Sequence, residues 1–144
     1  MGKIKLENIT NIFISLSDDS KLYFQPLIHS LVLKNGRSIY ATFGTKNYLN
    51  KNNVPGVVGV SKFSQKNDIK FADCVRMEDL IKKRLVNLII NVPSEKSFNL
   101  TLKDKSILDE ISDGETMRQL VKRYRIKLIT EKEKAFDIIC RLIN

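Results

Sequence analysis

The chain has no tryptophan, one histidine and two cysteines in 144 residues. Each scarcity removes a class of chemistry. Cys74 and Cys140 are too few for a disulfide framework, and with the lone His29 they are scattered singly, so no zinc site is indicated. Any histidine-dependent triad must use His29, and no serine elbow or suitably spaced cysteine accompanies it. The glycines of "VPGVVGV" lack the lysine and the spacing of a phosphate loop. No apolar run approaches the roughly 20 residues needed to span a bilayer. The opening "MGKIKLENITNIFISLS" has no continuous apolar core of a signal peptide, and Leu6 stands where a myristoylation signal carries Ser or Thr. An intracellular, cytoplasmic setting without membrane contact is therefore expected, in which the Asn-x-Thr triplets at Asn8 and Asn99 are chance matches.

Acidic residues are also scarce, and unevenly so. The net charge is +9. Lys, Asn and Ile make up 47 of the 144 residues, the bias of an A/T-rich genome, phage or virus, and codon usage supplies part of the positive charge. It does not explain where acids are missing. Between Asp19 and Asp73 the only acid is Asp68, against Lys21, Lys34, Arg37, Lys46, Lys51, Lys62, Lys66 and Lys70. Such an asymmetry points to a polyanionic partner.

With 42% hydrophobic and 28% charged residues the chain reads as one globular domain over 1–144, β-rich over 1–75 and mainly helical over 76–144. The stretch "KIKLENITNIFISL" is β-branched and aromatic without helical spacing, and "DDS" ends it as a turn. In "LIHSLVLKNGRSIYATF", Asn35-Gly36 suits a type I′ hairpin that sets Lys34 opposite Arg37, Val32 opposite Ile39, Leu31 opposite Tyr40 and Ile28 opposite Phe43. "TKNYLNKNN" reads as a polar loop, and "VPGVVGVSKF" and "IKFADCV" as further strands. In "RMEDLIKKRLVNLII", Met77, Leu80, Ile81, Leu85, Leu88 and Ile89 recur at helical spacing up to Pro93. "SFNLTLKD" reads as one more strand and Ser106–Ile111 as a short helix. Two amphipathic helices follow, with capping-box patterns at Ser112/Glu115 and Thr130/Glu133. The expected fold is α+β: a mostly antiparallel sheet or small barrel at the N-terminal side, packed with C-terminal helices.

Residues 115–139 raise the question of a DNA-reading helix-turn-helix. Arg118, Lys122, Arg123, Arg125 and Lys127 belong to the first helix, whereas the motif needs its reading face on the second. Making 115–126 the second helix, after a turn at Asp113-Gly114, places Asp109, Glu110 and Asp113 near phosphates. Two helices closing a domain, with a basic surface, fit better. The β-rich half offers more: Tyr23, Phe24, Tyr40, Phe43, Tyr48, Phe63 and Phe71 interleave with its cations, as in sheet platforms that stack bases and follow the backbone. Tyr40 and Tyr48 are the stacking candidates, with Phe43 and Phe24 assigned to the core. Lys34, Arg37, Lys46 and Lys51 are the phosphate contacts, and Arg118, Lys122, Arg123 and Arg125 a second basic surface.

The leading expectation is a non-catalytic protein binding DNA or RNA, with no cofactor and no metal. A structural or assembly subunit, viral or ribonucleoprotein, acting through a protein partner or as a homo-oligomer, is the alternative. A Mg²⁺ nuclease built on Asp68 is remote, because no carboxylates cluster with it.

Overall fold

Strands and helices alternate along the chain. The computed structural model describes residues 5–33, 37–65, 68–93 and 105–144, of which 105–112 by their backbone alone. The strands are β1 (Asn11–Leu16), β2 (Ser38–Thr42), β3 (Val58–Ser61), β4 (Val75–Arg76), β5 (Leu88–Val92) and β6 (Lys127–Ile129). The helices are α1 (Asp18–Leu33), α2 (Phe43–Lys51), α3 (Met77–Lys82), α4 (Lys105–Tyr124) and α5 (Lys132–Ile143). One six-stranded sheet has the order β4-β3-β2-β1-β5-β6, and every neighbouring pair is parallel. The architecture is α/β, not the antiparallel sheet or small barrel expected from sequence.

Right-handed crossovers explain the layering. From β1 to β2 to β3 the chain steps one way across the sheet, and α1 and α2 cover one face. From β4 to β5 to β6 it steps the other way, and α3 and α4 cover the opposite face. After β6, α5 returns to the first face beside α1. Two cores follow. Ile12, Ile14, Ile39, Ala41, Leu88 and Ile90 meet Phe24, Ile28 and Leu31 of α1, Leu49 of α2 and Ile139 of α5. Phe13, Val60 and Ile89 meet Met77, Leu80 and Ile81 of α3 and Met117 and Val121 of α4. β1 and β5 are buried on both faces, which is why "IFI" and "LII" are continuous apolar runs rather than alternating ones.

Several local expectations are corrected by this frame. The strand read over residues 27–33 is the second half of α1, where Phe24, Ile28 and Leu31 face the core at helical spacing. Lys34, Asn35 and Gly36 lie outside the described residues, but β2 pairs in parallel with β1, so Val32 and Ile39 are not hairpin partners. The polar loop "TKNYLNKNN" is largely α2, which buries Thr45 and Leu49. "IKFADCV" supplies a 3₁₀ turn, Ile69–Phe71, and only the edge of β4. The single helix read over 76–90 is α3 followed by β5, the break falling at Arg84 with φ +51°. The strand expected in "SFNLTLKD" lies outside the described residues. The short helix at 106–111 and the basic one after it form a single α4 that runs through Gly114. Between α4 and α5 stands β6, paired with β5, so a strand built into the sheet occupies the place of a helix-turn-helix turn. Among the described residues no helix is long and apolar enough to cross a membrane.

Candidate anion site at the carboxyl edge of the sheet

In an open parallel sheet the crevice for a ligand opens outside the carboxyl ends of the strands, where the direction of winding reverses. Here that point lies between β1 and β5. Around it the face turned toward α3 and α4 changes character over the last residues of three adjacent strands. Phe13 gives way to Ser15 on β1, Tyr40 to Thr42 on β2 and Ile89 to Asn91 on β5. Ser15 and Asn91 are direct partners in the ladder. Ser15 Oγ and Thr42 Oγ1 lie 3.4 Å apart. A core position made polar in three neighbouring strands at one level makes this edge the candidate site.

The start of α2 completes the cluster. Thr42 Oγ1 donates to Thr45 Oγ1 at 3.2 Å, and Thr45 Oγ1 in turn accepts the Leu16 N–H at 3.1 Å. Thr42 occupies the N-cap position of α2 without capping it, and the first turn carries no acidic residue. The first-turn amides and the positive end of the helix dipole therefore meet the hydroxyls at this edge. Lys21 of α1, its side chain only 13% exposed, holds its ammonium 3.5 Å from where a β-carbon on Gly44 would stand, with Asp18 as its ion-pair partner. Ser17 hydrogen-bonds Asp19 in the same first turn of α1. The buried polar side chains among the described residues are Ser20, Thr42, Thr45 and Ser61, and all four belong to this edge. Each polar atom so buried is satisfied within the protein.

A cleft of about 290 Å³ opens at the end of β3, on the side of α4. Ser61, Lys62 and Phe63 at the end of β3, Arg76 and Glu78 at the β4–α3 junction, and Thr116 and Leu120 of α4 line it. Glu78 is ion-paired with Lys82, whose pKa is raised above its ordinary value first by that hydrogen bond and then by the charge of Glu78. A larger hollow, about 530 Å³, lies between α5 and the turn at Leu6, at the amino end of the sheet. Its polar groups are an exposed helix face of mixed sign, with Arg141 Nε 3.1 Å from Asp137. The smaller cleft is the one at the carboxyl edge, where Ser61 ends β3.

Of the residues chosen from sequence, Lys46 alone stands at this edge, in the first turns of α2 with its ammonium 5.7 Å from the Phe43 ring centroid. Lys34 lies outside the described residues. Arg37 precedes β2 at the opposite edge, where Nε donates to the Ile9 carbonyl at 2.9 Å. Tyr40 is half-buried against the second core. Tyr48 is half-buried on α2, and Lys51 ends that helix in solvent. Arg118, Lys122 and Arg123 are exposed on α4, and Arg125, with φ +57°, turns the chain into β6. Of the interleaved aromatics, Phe24 is fully buried, and Phe43, beside Lys46, packs tilted against Phe71 with ring centroids 5.0 Å apart. Asp68 caps the Ile69–Phe71 turn through the Lys70 N–H at 3.0 Å. Among the described residues no group of three or more His, Cys, Asp or Glu is placed to hold a metal.

The fold defines a doubly wound α/β domain with a hydroxyl-rich carboxyl edge. Residues 26–130 match the family model of the MGS-like domain, and the chain belongs to that family. It is 30% identical over 128 residues to the carbamoyl phosphate synthase large chain of Thermoplasma volcanium, a match covering 87% of this chain and 10% of that protein. The chain thus spans about a tenth of the length of that relative. Family membership and the parallel fold overturn the expectation of a nucleic-acid-binding protein, and with it those of a viral or ribonucleoprotein assembly subunit and a nuclease.

Proposed function

We propose that this MGS-like domain is a non-catalytic effector module that binds a small phosphate-bearing metabolite at the carboxyl edge. The observation that carries the reading is the replacement of core residues by Ser15, Thr42 and Asn91 on adjacent strands, at the edge where α2 begins and where Lys21 stands against Gly44. First-turn amides of α2 beside one ammonium suit the oxygens of a phosphate, with the bonded hydroxyls fixing the start of the helix. The cleft lined by Phe63 and Leu120 takes the remainder of the ligand. Its similarity to one-tenth of a synthase large chain supports a module attached to, or reporting to, an enzyme. An intracellular setting, in which the free thiols of Cys74 and Cys140 stay reduced, goes with this reading.

Calorimetric titration with inorganic phosphate and with sugar and nucleoside phosphates tests it. Binding by the native chain is expected to weaken by about tenfold or more in Lys21→Met, the loss of one partly buried charge-assisted contact. The ligand should be recovered chemically unchanged. No heat with any phosphate compound, or equal affinity in Lys21→Met, refutes the site; turnover refutes the non-catalytic part.

A further inference from the structure

Phe63 and Leu120 both line the cleft, one from the 3₁₀ turn Phe63–Gln65 after β3, the other from α4. Beside Phe63, Ser64 is tied to α4 by two bonds. Its N–H donates to Asp113 Oδ1 at 2.8 Å and its hydroxyl to Oδ2 at 2.7 Å. Asp113, Thr116 and Leu120 follow at i, i+3 and i+7, so the anchor lies on the same stripe of α4 as the cleft wall. The turn itself is braced: the Lys62 N–H donates to Gln65 Oε1 at 2.9 Å, and the Gln65 N–H to the Lys62 carbonyl at 3.0 Å. A braced turn fixed to one point of a helix leaves the wall-to-wall distance little freedom, and a carboxylate taking both donors is a strong form of such a bond.

We infer that the Ser64–Asp113 clasp sets the width of this cleft and thereby selects ligands by the size of the group attached to the phosphate. The inference rests on the phosphate-site reading above. Ser64 and Asp113 are positioning residues, acting on Phe63 and on α4 rather than on the ligand, while the anion end, at Lys21 and Thr45, lies outside their reach.

The test titrates the native chain, Ser64→Ala, Asp113→Asn and Asp113→Ala with a series of growing size: inorganic phosphate, ribose 5-phosphate and a nucleoside 5′-monophosphate. In the variants, inorganic phosphate affinity should stay within about twofold of native, whereas the preference between the two larger probes shifts by about fivefold or more, Asp113→Ala the most. Amide exchange at Ser64 should accelerate in both Asp113 variants. Equal losses for every probe, or an unchanged size profile, overturn the clasp while leaving the anion site standing. A native chain that binds none of the series sinks the anion site, and the clasp's role with it. If Asp113→Ala fails to fold, Ser64→Ala, which keeps the backbone bond, makes the same comparison.

Discussion

Replacing Thr45 by valine isolates what the hydroxyl cluster contributes. The residue is 1% exposed, and valine matches its shape and β-branching, so cavity and strain terms largely drop out. What remains is polar. The Leu16 N–H loses its acceptor at 3.1 Å, and an unsatisfied buried donor costs about 1–3 kcal/mol. Thr42 loses its 3.2 Å partner, worth about 1 kcal/mol, while the added methyl returns about 0.8 kcal/mol of burial. The net expectation is destabilisation by about 1–3 kcal/mol. In urea, with a slope of about 2 kcal/mol per molar, the midpoint should fall by about 0.5–1.5 M. The native chain should gain stability with phosphate, about 2.7 kcal/mol at a concentration 100 times Kd, and the variant should gain much less. Thr45→Ser, which keeps the oxygen, is the control. A Thr45→Val midpoint within about 0.2 M of native would show that Leu16 and Thr42 find other partners, and the cluster would lose its structural basis.

Gly59→Ala should destabilise through α2, because the new β-carbon would meet Phe43 Cε1 at 2.5 Å and Lys46 Cδ at 3.1 Å, with Phe43 stacked on Phe71. Overpacking of this kind costs about 1–3 kcal/mol, a fall of about 3–10 °C in Tm by calorimetry, and an unchanged Tm would mean the ring yields freely. Asn87→Ala should cost about 2–3 kcal/mol, since Oδ1 accepts the Thr10 and Asn11 N–H groups at 3.1 Å and Nδ2 donates to the Asn8 carbonyl at 2.9 Å. Amide exchange at Thr10 and Asn11 should quicken while phosphate affinity holds, because these bonds lie at the amino edge; a loss of affinity would contradict that separation.

What was legible in the sequence depended on how one-sided each element's burial is. α5 was legible because Phe136, Ile139, Cys140 and Ile143 share one helical face, with Ile139 fully buried. α1 was not, because Leu22 and Leu33 are 77% and 70% exposed and Pro26 interrupts the pattern, so a hairpin dipeptide nearby outweighed a weak helical one. β5 was absorbed into a helix because a strand buried on both faces carries no alternation, and its Leu and Ile happen to continue the spacing of α3. The site residues are ordinary one by one. Ser15, Thr42, Ser61 and Asn91 each lie in the last two residues of a strand, a signal visible only once the strands are known to be parallel and to end at one edge.

The charge that suggested a polyanion has a local explanation in that geometry. A helix following a parallel strand runs back across the sheet, so α2 and α4 begin at the carboxyl edge and end at the amino edge. Cations are stabilising at helix C-termini, where unpaired carbonyls and the negative end of the dipole gather. Lys51 closes α2, Lys82 closes α3, Lys122 and Arg123 close α4, and Arg141 closes α5. Arg37 and Arg125 sit where chains enter β2 and β6, at the same amino edge. Of the cations singled out from sequence, Lys51, Lys122 and Arg123 therefore stand at helix C-termini and Arg37 at a loop carbonyl, toward the amino edge of the sheet. The proposed site carries few charges, Lys21 beside Gly44 and Lys62 and Arg76 along the cleft. Net charge measures mainly the first population of cations; the proposed site would depend on the second.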